Sequence, residues 1–94
     1  MTQTYIATFY SHFGAMRAKK ECDKYGWTAQ MMPVPRDLSS SCGTCVRFTM
    51  ENAEGAKDNV ETFVPTALIS DELEQIVRVE APGKYTEVYR AEGA

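Results

Sequence analysis

The hydrophobic pattern changes period several times along the chain, and each change marks an element. Tyr5-Ile6-Ala7-Thr8-Phe9-Tyr10 is aromatic and β-branched and apolar on both parities, which predicts a strand central in its sheet and covered on at least one face. From Ser11 the period lengthens. Ala15, Ala18, Cys22 and Tyr25 recur at three- and four-residue steps, Phe13 and Met16 widen the stripe, and Arg17, Lys19, Lys20, Glu21, Asp23 and Lys24 fill the other side. That spacing predicts an amphipathic helix with Ser11 as N-cap and Gly26 as its stop. Thr28 to Val34 reads as a second strand, cut off by Pro33 and Pro35. Thr44, Val46, Phe48 and Met50 then alternate with Cys45, Arg47 and Thr49, so a third strand begins almost immediately after Cys42.

Residues 51–59 are polar and turn-like, and Val60 to Val64 reads as a short extra strand before Pro65. Ser70 is an N-cap candidate, with Asp71 and Glu72 in the positive first turn of a second helix that Leu73, Ile76, Val77 and Glu80-Ala81 continue. Pro82-Gly83 stops it, Tyr85 to Tyr89 forms the last strand, and the tail from Ala91 frays. The order is βαββαβ, for which the expected solution is a ferredoxin-like α+β sandwich: a four-stranded antiparallel sheet with two helices on one face, and an extra strand or insertion at 51–69. If the first strand runs up, the loop at 35–43, the helix start at Ser11-His12 and the turn at Pro82-Gly83-Lys84 all lie at the top. This places Cys42 near a helix N-terminus and near His12, the only histidine.

Composition narrows the class. The 94 residues, 44% hydrophobic and 11% aromatic, are expected to form a single domain spanning 1–94. A net charge of −3 with interleaved signs argues against a nucleic-acid partner. No apolar run approaches the ~20 residues of a membrane span, and Met1-Thr2-Gln3-Thr4 has no signal-peptide charge, so a cytoplasmic location is expected. In that compartment three cysteines read as chemistry, metal ligands or core rather than as a disulfide framework.

Pro33 to Cys45 concentrates the candidate chemistry. Two prolines hold the chain extended, and Ser39-Ser40-Ser41-Cys42-Gly43 offers consecutive amides that form a nest for an anion. Arg36 and His12 add charge. Together with the helix N-terminus these groups predict a Cys42 thiol more acidic than the ordinary value of ~8.5. Cys22, on the buried stripe, reads as a small hydrophobe; Cys45 sits on the parity opposite Val46 and Phe48. Cys42-Gly43-Thr44-Cys45 has the C-x-x-C spacing of thiol–disulfide oxidoreductases, but a strand follows it where that fold needs a helix. A zinc site lacks two ligands at standard spacing, so neither metal nor cofactor is expected.

The segment Pro33-x-Pro35-Arg36-x-Leu38-Ser39-x-x-Cys42-Gly43, with Phe9-Tyr10-Ser11 before it and Ala15, Ala18 and Glu21 on the helix, resembles the signature of the selenium/sulfur carrier-like proteins of bacteria. The resemblance covers roughly residues 5–50 and leaves 51–69 as an apparent insertion. It implies a cytoplasmic, non-enzymatic protein in which Cys42 carries sulfur or selenium as a persulfide or selenosulfide between a donor and an acceptor protein. Ser11, His12, Arg36, Ser39, Ser40, Ser41 and Gly43 then bind or activate at that site. Cys45 stands where the family usually has an apolar or small residue. A thiol there is able to attack a Cys42 persulfide, so a redox or redox-sensing adaptor working through Cys42 and Cys45 stays open beside the carrier, as does a non-catalytic subunit docked through 51–69.

Overall fold

A computed structural model of the chain describes residues 2–38, 43–51 and 71–91. The elements are β1 (Thr2–Phe9), α1 (His12–Lys24), β2 (Thr28–Pro33), β3 (Thr44–Glu51), β4 (Leu73–Ala81) and β5 (Lys84–Arg90). They form a five-stranded antiparallel sheet in the order β2-β3-β1-β4-β5, with α1 as the one helix among the described residues. The first half follows the sequence expectation closely. Ser11 caps α1, accepting the Gly14 N–H at 3.1 Å. At the other end Trp27 N–H bonds the Cys22 carbonyl and Gly26 N–H that of Asp23, with Gly26 at φ +77. This is a Schellman stop, and only glycine enters that backbone region without strain.

The expected second helix is instead strand β4, so the architecture is α+β with five strands and one described helix rather than four strands and two helices. The reason is a bulge. Thr8 pairs with Gln75 but Phe9 pairs with Leu73, leaving Glu74 as an extra residue. Leu73 and Ile76, three apart in sequence, therefore point into the same core beside the helix, and a sheet irregularity imitates helical spacing. The β-branched run Ile76, Val77 and Val79 is what a strand covered on both faces requires. Because β4 runs antiparallel to β1, the Pro82-Gly83 turn lies at the opposite end of the sheet from Ser11-His12, not at the same end. The expected strand at Val60–Val64 and the cap at Ser70 lie outside the described residues.

Both faces of the sheet are apolar. On one, Tyr5, Ala7, Phe9, Val46, Phe48, Leu73 and Ile76 pack under Ala15, Ala18 and Cys22 of α1. Tyr25, Trp27, Phe48 and Tyr5 stack in series with ring centroids 5.1, 5.7 and 5.5 Å apart, a favourable aromatic spacing. On the other face Ile6, Cys45 and Val77 are covered by Met32, Val34, Leu38, Val79 and Tyr85. The chain leaving β2 folds back over this face: Leu38 N–H bonds the Pro35 carbonyl at 3.0 Å, and Asp37 reaches the far turn, where a Cβ on Gly83 would lie 3.4 Å from its carboxylate.

Candidate functional site

The end of the sheet where β1 hands over to α1 brings together Ser11, His12, Gly43 and Cys45 of the predicted residues. β3 starts there because it pairs antiparallel with β1, Cys45 opposite Thr8. Thr44 falls on the helix side of the sheet, and its hydroxyl lies 3.5 Å from His12 Nδ1. Gly43 precedes it at φ +79, a conformation that strains any residue with a side chain, and its carbonyl accepts the Val34 N–H at 3.0 Å. This bond closes the base of the loop that carries Ser39, Ser40, Ser41 and Cys42, which themselves lie outside the described residues. Arg36 is exposed on the fold-back segment.

Ser11 has a more defined role than the sequence suggested. Besides accepting from Gly14 N–H it donates to Glu72 Oε1 at 2.5 Å, so its proton is committed. Glu72 comes from the turn before β4, where its carbonyl accepts the Tyr10 N–H at 2.8 Å. Its carboxylate thus sits at the positive end of α1, a favourable place for an anion. The sequence reading missed this residue in an instructive way: Asp71-Glu72 looked like the acids of a helix N-terminus, and Glu72 does occupy one, but that of α1. Gly14 makes the approach possible, since a Cβ there would stand 2.5 Å from Glu72 Cβ.

The three cysteines separate in environment. Cys22 is fully buried under α1, and burial, reinforced by the negative charge of Asp23, pushes its thiol up to about 12; the structural reading holds. Cys45 is also fully buried but on the opposite face, in contact range of Ile6 and Val77, with Sγ directed at the Pro33 carbonyl 3.8 Å away. Strand parity alone divides it from Thr44. The second cysteine of the C-x-x-C therefore belongs to a packed apolar layer, while the first lies two residues before Thr44, the residue that reaches His12 at the helix start.

The described residues define a small α+β class of protein, an antiparallel sheet with one helix whose start lies beside Thr44 of β3. The family model described as "Putative Se/S carrier protein-like" matches residues 4–63, and the chain belongs to that family. The match includes Cys42 and Cys45 and extends thirteen residues beyond the stretch over which the motif resemblance is legible, to residue 63. No curated protein and no solved structure matches the chain. Among the described residues no helix is long and apolar enough to cross a membrane.

Proposed function

We propose that the protein is a cytoplasmic sulfur or selenium carrier that holds the chalcogen on Cys42. The observation that carries this reading is the Thr44 hydroxyl 3.5 Å from His12 Nδ1 at the start of α1: Cys42 lies two residues before Thr44, and its Cα is one peptide step, ~3.8 Å, from that of Gly43. Membership of a carrier family is consistent with it. In loading, the Cys42 thiolate attacks the terminal sulfur of a donor persulfide. The donor S–S bond breaks, the donor leaves as thiolate, and the terminal sulfur, with its proton, becomes the Cys42 persulfide. An acceptor thiolate reverses the sequence. No net oxidation occurs, and selenium follows the same path as a selenosulfide. Ser39, Ser40, Ser41 and Gly43 supply amides toward the anion, with His12 as the neighbouring side chain; Arg36, between Pro35 and Asp37 on the segment that folds back toward Gly83, is not brought to this end of the sheet.

The burial of Cys45 favours this reading over a dithiol–disulfide cycle, because closing a Cys42–Cys45 bond requires Cys45 to leave a packed layer or the loop to enter it. Intact-mass analysis after incubation with glutathione persulfide separates the two. A carrier gains about 32 Da, one sulfur, on Cys42; the adduct disappears in Cys42→Ala and survives in Cys45→Ala. A loss of about 2 Da with no adduct, abolished by Cys45→Ala, supports the redox adaptor instead. Alanine is the right substitution at Cys45, since serine would bury a hydroxyl in an apolar layer.

A further inference from the structure

The two largest apolar side chains of α1 are not in the core. The helix packs through Gly14, Ala15, Ala18 and Cys22, whereas Phe13 is 63% and Met16 43% exposed; the sequence pattern had assigned both to the buried stripe. The reason is the close seat of the helix: small residues bring it down on the sheet, and no space is left for larger ones. The Arg17 guanidinium lies 5.9 Å from the Phe13 ring centroid, a cation–π arrangement. Lys20 extends the same stripe one turn on.

The charges around this patch are unevenly paired. Lys19 and Lys24 form ion pairs with Asp23 and Glu21 at 2.9 and 3.5 Å. Arg17 and Lys20 form no ion pair with the described residues. A chain of net charge −3 thus presents a locally cationic face around an exposed aromatic and a methionine, and aromatic, methionine and arginine residues are enriched where protein interfaces carry their energy. The patch is continuous with the candidate site, since Phe13 follows His12, which reaches Thr44.

We propose that Phe13, Met16, Arg17 and Lys20 form the docking surface for an acidic, thiol-bearing protein that exchanges sulfur or selenium with Cys42; the assignment rests on the carrier reading above. Charge complementarity selects the occupant. Two cations around an apolar centre are too few for a phosphate backbone, and a second copy of this chain in a two-fold contact would set Arg17 and Lys20 against themselves. A partner with carboxylates around an apolar pocket meets both features and is drawn to the site by the same charges.

The test compares two sulfur sources, a persulfidated cysteine desulfurase from the same cells and inorganic polysulfide, followed by intact mass. Phe13→Ser and the double variant Arg17→Glu/Lys20→Glu alter exposed positions and leave the core intact. Wild-type loading from the protein donor is expected to fall as salt rises, and the charge-reversed variant to load about tenfold more slowly at low salt with that salt dependence lost. Loading from polysulfide should stay within about twofold in every variant, because a small donor needs no docking surface. Equal rates from the protein donor in all variants, or a protein donor no better than polysulfide for the wild type, overturn the docking surface. Failure of polysulfide to load Cys42 in the wild type overturns the carrier function itself.

Discussion

Gly14→Ala sets two well-known effects against each other, and the structure decides between them. Alanine in place of glycine inside a helix ordinarily stabilises by about 0.5–1 kcal/mol. Here the new Cβ would stand 2.5 Å from Glu72 Cβ, and ordinary carbon contact needs a retreat of about 1.3 Å. Glu72 is poorly placed to retreat, because its carbonyl holds the Tyr10 N–H and its carboxylate holds Ser11. Overpacking of this kind costs about 1–3 kcal/mol, and a weakened cap adds about 1. The net expectation is a loss of about 1–3 kcal/mol, read in thermal unfolding as a fall of about 5–15 °C for a domain of this size. The Glu72→Gly background removes the opposing Cβ, so Gly14→Ala should there be neutral or stabilising, with a coupling of at least about 1 kcal/mol in the double-mutant cycle. A Gly14→Ala protein as stable as wild type, or the same cost in both backgrounds, would show that Glu72 does not close over the start of α1.

Three further outcomes follow from the geometry. Burial pushes the folded Cys22 thiol up from its ordinary value to about 12, so the protonated form is favoured in the fold. Its contribution to stability is complete below pH ~9 and is lost as pH rises from there through about 12; Cys22→Ala should flatten urea-unfolding stability across that range, and an unchanged alkaline slope would refute the assignment. Gly43→Ala meets open space but keeps φ +79, so strain of about 1–2 kcal/mol is expected, together with slower persulfide loading of Cys42 in the mass assay; loading at the wild-type rate would separate the loop base from the chemistry. Glu72→Gln removes an anion from the helix end where a Cys42 thiolate would compete for the same field, and should lower the apparent pKa of Cys42 alkylation by up to about 0.7 unit, while an unchanged or higher value would show that the two groups do not share it.

Legibility in the sequence followed the range of the forces involved. Ser11, Gly26 and the turn before the third strand were readable because capping and backbone handedness act within a few residues. The Leu73–Ala81 segment was misread because a bulge opposite Thr8 and Phe9, set by a partner strand more than sixty positions away, reproduces the three-residue spacing of a helix. Phe13 and Met16 were assigned inward because periodicity records which residues share a face and not how closely that face is seated. Cys45 was placed correctly by parity, since a strand's alternation survives tertiary context. Glu72 left a signal, an acid of helix-capping type, but the helix it serves is not the one it precedes.

If Cys42 carries sulfur as proposed, the Val34–Gly43 hydrogen bond and the planting of Leu38 on the sheet would limit how that cargo is delivered. Carriers built on long cofactor arms swing their load between stations that stay occupied together. A sulfur on the residue next to Gly43 has a radius of action of only about one peptide step plus a side chain, ~7 Å from a fixed base. Donor and acceptor must therefore visit the same spot in turn, each excluding the other, and transfer through such a protein should follow ping-pong kinetics with an excess of either partner inhibiting the other.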